Sequence, residues 1–441
     1  MIDKKQKSGR ITAVELLMKQ EQNGYSNLVL DAQLKRNALD AREKAFASAV
    51  FYGVLERLYT LDWMLQKCVK QPLAKLDAPV RAILRAGLYQ AVYMDSVPAS
   101  AAVNESVQLT RVFRKSSASG FVNAVLRKAM KQNPQNAQFA SRQEQLSVQY
   151  SVSLPIAEHF LRCYPQDAEH ILAAFFQKPA LTLRANTLKT SAEQLCQQLA
   201  EEGWQAQPGE LAGSVVAQGK GSIVHTQAFR QGLFHVQGMG SQLACSCLSP
   251  KPGTKVLDLC AAPGGKTATL AQMMENRGQL LCGDAVKARV PLIETLAARL
   301  GLSIVEAHHW DAAASQESLE NADFVLCDVP CSGLGIMAKK PDIRTKDLKQ
   351  MQQLYPLQQQ ILRTGASYLK TGGRLVYSTC TLNPDENENQ VKQFLHDMPS
   401  FRLVEPPCTL NGAIVQDNMM TLRPDQNGQD GFFIAVLERV C

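Results

Sequence analysis

The chain has 441 residues, 45% hydrophobic and 20% charged, the composition of an ordinary water-soluble protein. No apolar run approaches the roughly 18 residues that a membrane-spanning helix needs, and the opening MIDKKQKSGRITAVELL lacks the apolar core and cleavage site of a secretory signal. The net charge of +7 is uneven: residues 1–145 hold 22 basic and 12 acidic side chains, and the rest holds 25 and 28. A basic module joined to a near-neutral one points to a polyanionic partner for the first, with a merely solvated basic surface as the competing reading. The 12 cysteines are scattered and form no paired CxxC sets. That argues against a disulfide scaffold or a zinc module and for thiols kept reduced in the cytoplasm; no metal is expected.

Residues 10–145 read as helices. Ile11, Val14, Leu16 and Leu17 open an amphipathic pattern; Phe46, Val50, Val54 and Leu58 continue one, as do Val80, Ile83, Leu84 and Leu88. Turn signals fall at Asn23-Gly24, Gln71-Pro72 and Val97-Pro98. This predicts an all-α domain over 4–143, closed by a helix from Gly120 to Lys128, with the polar stretch after Gln132 as a linker. Residues 144–240 read as a small α/β module. Ala180–Asn186 is a strand, Ser191 caps a helix running to Glu202, and Val215-Val216 and Ser222–Val224 are strand-like. From 241 to 441 short apolar runs at Val256–Leu259, Leu280–Cys282, Ser303–Val305, Phe324–Cys327 and Leu375–Tyr377 alternate with helical segments near 266–276, 286–300 and 346–369. Such alternation means βαβ units and a parallel sheet, whose ligands bind at the carboxyl ends of the strands. Phe401–Val404 and Phe432–Leu437 extend it with a terminal pair of strands.

The chemistry-bearing residues stand at those strand ends. VLDLCAAPGGKT (Val256–Thr267) is a strand, a glycine turn and a helix start. Its glycines allow close approach of a ligand, and its helix N-terminus suits a carboxylate or phosphate. The spacing fits neither GxGxxG nor the P-loop, so it is not an ordinary dinucleotide or triphosphate cradle. Asp284 ends the second strand, where a carboxylate can accept both hydroxyls of a ribose; Asp311 follows the third, within reach of an adenine amino group. Either is open to the plainer reading of a helix cap. FVLCDVPCSGLG (Phe324–Gly335) places Asp328 and Cys331 at the mouth of a strand, and YSTCTLNPDENE (Tyr377–Glu388) places Cys380 at another. Two thiols at neighbouring strand ends face one pocket, or are buried structural cysteines.

Together LDLCAAPGGKT, CDVPCSGLG, KKPDIR and YSTCTLNPDENE resemble the RNA cytosine-C5 methyltransferases that use S-adenosylmethionine. The likeness covers nearly the whole chain. The basic helical N-terminal domain resembles the NusB-like extension of the bacterial Sun/RsmB/Fmu branch, which modifies 16S ribosomal RNA (family target cytosine 967). Pro424 and Asp430-Gly-Phe-Phe433 also match. One departure is VQGMGSQ (Val236–Gln242), with Gly238 where the family usually has Asp.

The resemblance implies a multidomain protein: an all-α NusB-like domain over 4–143, a small α/β module over 144–240, and a Rossmann-like S-adenosylmethionine-dependent methyltransferase domain over 241–441. Residue by residue it implies that Cys380 attacks cytosine C6, that Cys331 assists the later elimination, and that Asp328, kept protonated by burial, donates to N3. Cys260, Ala261, Ala262, Pro263, Gly264, Gly265 and Lys266 would surround the methionine part of S-adenosylmethionine. Asp284 would hold its ribose, Asp311 its adenine, and Asp328 would lie near both ligands. RNA would be held by the basic domain, with Lys35, Arg36, Arg81, Arg85, Arg111, Arg114 and Lys115 as candidates. A cytosine of tRNA or of another rRNA, or a non-catalytic role in ribosome assembly, remain the rival expectations.

Overall fold

The computed structural model describes residues 8–23, 30, 33–34, 37 and 39–441. Lys35, Arg36 and Gly24 of the first expected turn lie outside the described residues. The chain divides into two compact units: Met1–Leu172 with Lys340–Leu348, and Ala173–Lys339 with Lys349–Cys441. Among the described residues no helix is long and apolar enough to cross a membrane, no cluster of His, Cys, Asp or Glu is arranged to hold a metal, and every cysteine is a free thiol.

The first unit is helical: α1 Gly9–Asn23, α2 Ala41–Glu56, α3 Leu58–Gln66, α4 Ala78–Tyr93, α5 Ala99–Val112, α6 Ser119–Ala129, α7 Arg142–Gln149 and α8 Leu154–Cys163. Asp40 caps α2 by accepting from the Glu43 amide at 2.8 Å, and Ser141 caps α7 through Glu144 at 3.1 Å. Val50, Val54, Val80, Ile83, Leu84 and Leu88 are buried in one core, each contributing about 1.5–3 kcal/mol. The polar stretch expected as a linker is ordered. Asn133 caps a turn at Pro134–Asn136, and the buried Pro134 accepts from Gln149 at its carbonyl, 3.1 Å away. Helices α7 and α8 also lie in this unit.

In the second unit β1 Leu181–Ala185, β2 Gln205–Pro208, β3 Ser214–Gln218 and β4 Phe234–Val236 form an antiparallel sheet in the order β2-β3-β1-β4. The helix Ala192–Glu201 carries a capping box between Ser191 and Gln194. Ser222–Val224 is not a strand. Ile223–His225 is a 3₁₀ turn; Ile223 packs into the module core while Val224 is exposed, and Thr226 already caps the next short helix.

The large sheet comprises β5 Lys255–Asp258, β6 Gln279–Asp284, β7 Val305–His309, β8 Ala322–Asp328, β9 Leu369–Thr379, β10 Phe401–Val404, β11 Ile414–Gln416, β12 Met419–Leu422 and β13 Phe432–Arg439. Its order is β11-β12-β13-β9-β8-β5-β6-β7, with β10 beside β13. Strands β5 to β9 are parallel, and β13 runs antiparallel to β9. Successive residues go to opposite cores: Val256, Leu280, Leu326 and Val376 to one, Leu257, Leu281, Val325 and Leu375 to the other. That is the signature of a sheet covered on both faces. The third strand starts two residues later than Ser303, because the Ser303 and Ile304 amides are taken by Asn276 Oδ1 at 2.9 and 3.3 Å. The chain order reverses at β5, flanked by β6 and β8, so the crevice for a ligand opens at the ends of β5 and β8.

Candidate active site

A cleft of about 240 Å³ opens there, lined by Gln237, Gly238, Ser241, Asp258, Cys260–Pro263, Gly265, Lys266 and Asp328, with Val236 at its edge. Six of the seven glycine-loop residues named from sequence line it; Gly264 does not, and its role is geometric. Its φ of +102° suits only glycine, and a Cβ there would lie 3.1 Å from the Ile293 backbone on the neighbouring helix Val290–Leu300. The first turn of the helix Gly265–Met273 faces the cleft through Gly265 and Lys266.

Asp258 ends β5 and Asp328 ends β8, so two carboxylates stand on adjacent strands. Asp328 is partly exposed. It accepts a salt bridge from Lys266 Nζ at 2.7 Å and a hydrogen bond from Ser378 Oγ at 2.8 Å. The setting is thus polar, an ammonium and a hydroxyl, and not the apolar one expected from the sequence. Burial works against the charge on Lys266, but the Asp328 carboxylate outweighs it and raises the lysine above its ordinary range. Lys266 also sits 5.6 Å from the centre of the Phe432 ring. Asp258 is 1% exposed, and its Oδ2 accepts from Thr267 at 2.7 Å while Oδ1 has no protein partner. Burial, with the Asp328 charge adding, pushes its carboxyl up to about 7 against the pull of Thr267 and Lys266.

Beyond β8 and β9, which are parallel neighbours, Cys331 and Cys380 bring their sulfurs to 3.3 Å. The hydrogen bond to Cys380, then burial, then the charges of Cys380 and Glu386 hold the Cys331 thiol well above its ordinary range. Glycines fix this mouth. Gly335 donates its amide to the Cys380 carbonyl at 3.1 Å and accepts from the Gly431 amide at 2.7 Å; a Cβ on Gly335 would fall 2.2 Å from the Gly431 carbonyl. That close approach explains why CSGLG and DGFF occur in one chain.

Asp284 and Asp311 do not line the cleft. Asp284 is buried at the end of β6, beside the glycine loop through the Ala261 amide on the Gly283 carbonyl, and its Oδ1 accepts from the Val286 amide at 2.8 Å. Asp311 is exposed and accepts from the Ala313 amide at 3.0 Å, which makes a local turn and not the helix cap of the plainer reading. Gly238 lies in the cleft wall; a Cβ there would stand 3.4 Å from Asp430 Oδ2 and 3.5 Å from Lys339 Nζ, which pair at 2.5 Å. An Asp at this position would set a second carboxylate against that pair.

Sequence reasoning passed over Asp258, Gln237 and Glu386. Asp258 carried the same signal as Asp284, a carboxylate on the last residue of a strand. Gln237 lies in an irregular stretch; its Oε1 accepts from Thr269 at 2.6 Å and its buried Nε2 has no protein partner. In the first unit, the side chains of Arg81 and Arg85 are engaged within the protein. Arg81 is spent on Glu21 and the carbonyls of Leu73 and Leu76, Arg85 on Glu21 and Asp62, and burial of the long stems accompanies these pairs. Lys115 pairs with Asp77 at 2.7 Å. Arg111 and Arg114 are exposed, as are Arg127 and Lys128 on α6, which were not singled out.

Three family models match in chain order: the NusB family over residues 7–131, an RsmF/B-like ferredoxin-like domain over 156–220, and the 16S rRNA methyltransferase RsmB/F model over 245–438. A probable ribosomal RNA small subunit methyltransferase B of Bacillus subtilis is 35% identical, covering 99% of both chains. The ribosomal RNA small subunit methyltransferase B of Escherichia coli O1:K1 is 29% identical over 98% of this chain and 99% of its own. Among solved structures, PH0851 superposes with a TM-score of 0.82 at 26% identity, covering 100% of this chain and 99% of that one. A methyltransferase homologue from Pyrococcus horikoshii superposes with 0.61 at 29% identity, covering 68% of this chain and 100% of that one. A NusB-like helical domain, a ferredoxin-like module and a methyltransferase domain on a largely parallel sheet thus follow one another along the chain, which belongs to the ribosomal RNA small subunit methyltransferase B family of methyltransferases.

Proposed function

We propose that the protein transfers a methyl group from S-adenosylmethionine to C5 of a cytosine in 16S ribosomal RNA, the family's target cytosine 967, through a covalent bond from Cys380 to C6. The observation that carries this reading is the pair of sulfurs, 3.3 Å apart, at the ends of adjacent parallel strands beside the cleft. The cleft suits the cofactor's amino-acid end. The unpartnered Asp258 Oδ1 is an acceptor for an α-ammonium, the unpartnered Gln237 Nε2 a donor for a carboxylate, and both atoms are buried. Bound there, S-adenosylmethionine supplies an electrophilic methyl group. Asp284 would hold the ribose with the oxygen its own loop leaves free, and Asp311 would meet the adenine.

Cytosine C5 is too electron-poor to take that methyl group unaided. Addition of the Cys380 thiolate to C6 breaks the ring conjugation and makes C5 enamine-like. The Lys266 ammonium, held by Asp328, would supply the proton-bearing group towards N3 as negative charge builds there, with Asp328 orienting it. After transfer, C5 loses its proton to a base, the C5–C6 double bond reforms, and the C6–sulfur bond breaks with the electron pair returning to Cys380. Cys331, keeping its proton beside that sulfur, assists the departure. The exposed Arg111, Arg114, Arg127 and Lys128 would hold phosphates while the target base leaves its stack.

The test is incubation with labelled S-adenosylmethionine and unmodified 16S RNA, followed by mapping of the label. One cytosine methylated at C5 is expected. Label on tRNA alone, or on no RNA, overturns the assignment.

A further inference from the structure

Behind the two thiols lies a buried carboxylate that the reaction does not touch. Glu386 is 0% exposed. Its Oε2 accepts from the Ser332 amide at 2.7 Å and from Gln358 Nε2 at 2.9 Å; its Oε1 accepts from Asn383 Nδ2 at 2.9 Å. The same Gln358 Nε2 donates to the Pro330 carbonyl at 2.9 Å. The residues on both sides of Cys331 are therefore tied to one carboxylate. A second tie joins the two mouths: the Ser332 and Thr381 hydroxyls, each next in sequence to a thiol, meet at 2.7 Å. A buried carboxylate without partners would cost several kcal/mol; this one has three, the Ser332 amide next to Cys331, Asn383 three residues after Cys380, and Gln358 on the helix Leu354–Ser367.

We propose that Glu386 is a positioning residue: its carboxylate pins the Pro330–Ser332 turn and so sets the Cys331 sulfur against the Cys380 sulfur. This rests on the reading that Cys380 attacks and Cys331 aids release. No proton or bond is exchanged with Glu386. Its effect reaches the reaction through the 3.3 Å separation of the sulfurs, and its negative charge also helps Cys331 keep its proton. The neighbouring Asp385 is spent elsewhere: it accepts from Asn389 at 2.8 Å on the outside.

The experiment compares Glu386→Gln with Cys331→Ala in the full-length enzyme. The substitution keeps size but replaces one acceptor oxygen with a donor facing donors. Glu386→Gln is expected to bind S-adenosylhomocysteine like the parent and to release product roughly tenfold to a hundredfold more slowly, as a misplaced group does. RNA–protein adduct should accumulate on a denaturing gel. Combined with Cys331→Ala it should add little, because both changes strike the same step. Wild-type release, or a slowdown fully additive with Cys331→Ala, overturns the proposal. If Glu386→Gln does not fold, Gln358→Leu removes one tie to the same turn and takes the same test; loss of cofactor binding in that variant too makes the cluster structural and ends the proposal. Should Cys331→Ala itself trap no RNA, the covalent reading fails before Glu386 is reached.

Discussion

At the ends of β8 and β9, Asp328 is bonded to Ser378 and Lys266, Cys331 meets Cys380, and the turn that carries Cys331 is backed by Glu386, Gln358 and Asn383. At the ends of β6 and β7, Asp284 and Asp311 touch only the backbone of their own loops. The first mouth is preorganised, so a change there alters the path of the reaction. The second offers single acceptors, so a change there alters affinity. Groups that must meet reacting atoms need fixed distances; groups that only hold a flexible nucleoside need to be available.

The largest effects are therefore expected at the thiols, and they should be opposite in kind. Cys380→Ala cannot form the C6 bond, so product formation should fall by roughly 10⁴-fold or more and no adduct should appear. Cys331→Ala leaves attack intact, so RNA should stay attached to the protein as a slow band on a denaturing gel. The double variant should look like Cys380→Ala. Two structural cysteines would instead each cost about 1 kcal/mol of stability and trap nothing. A band from Cys380→Ala and none from Cys331→Ala would exchange the two roles.

Asp258 should show a trade between binding and stability. Its carboxyl is held near 7 when folded and 3.8 is its ordinary value, so the folded state keeps the proton longer. Stability then falls as pH rises from about 4 to about 7, and the full cost is present above 7. Asp258→Asn is expected to raise the melting temperature of the cofactor-free protein at pH 8 and leave it unchanged at pH 4. The same change should weaken S-adenosylmethionine binding at pH 8 by roughly 1.5–3 kcal/mol, the scale of a lost hydrogen bond to a charged group. Calorimetry and thermal melts at the two pH values check both signs. Tighter or equal binding by Asp258→Asn would remove it from the amino-acid end of the cleft.

The contrast between the mouths also marks what was legible in the sequence. Strands β5, β6 and β8 stood out because they are buried on both faces and read as apolar runs. Edge strand β7 is VEAHH, half solvated, and only the run Ser303–Val305 at its start hinted at it. The hairpin of β11 and β12 was missed although Asp417 and Asn418, both at positive φ (51° and 59°), form the kind of two-residue turn that joins antiparallel strands. Cys331 and Cys380 were legible because a thiol at a strand end has few plain explanations. Glu386 was not: within NPDENEN nothing local says which carboxylate faces inward, since that is decided by Gln358 and Ser332, 28 and 54 residues away. Likewise the charge of the first unit was visible, but the pairing of Arg81 and Arg85 with Glu21 and Asp62 needed the packing of α1, α3 and α4.

The smallest expected effects lie at the second mouth, and they rank its two carboxylates. Asp284 is buried, held by one oxygen to the Val286 amide, and adjacent to the glycine loop. Its free oxygen can accept from a ribose hydroxyl with little competition from water, so Asp284→Ala should weaken S-adenosylmethionine binding by roughly 1–3 kcal/mol. Asp311 is exposed, so any bond it makes to an adenine amino group replaces one to water. Asp311→Ala should cost less, about 0.5–1.5 kcal/mol. Neither variant should change how adduct and product divide once cofactor is saturating, because neither touches the sulfurs. Titration calorimetry gives the affinities, and the gel gives the division. Equal losses at both positions would mean that Asp284's burial confers no advantage, and a shifted division in either variant would show that the two mouths are coupled.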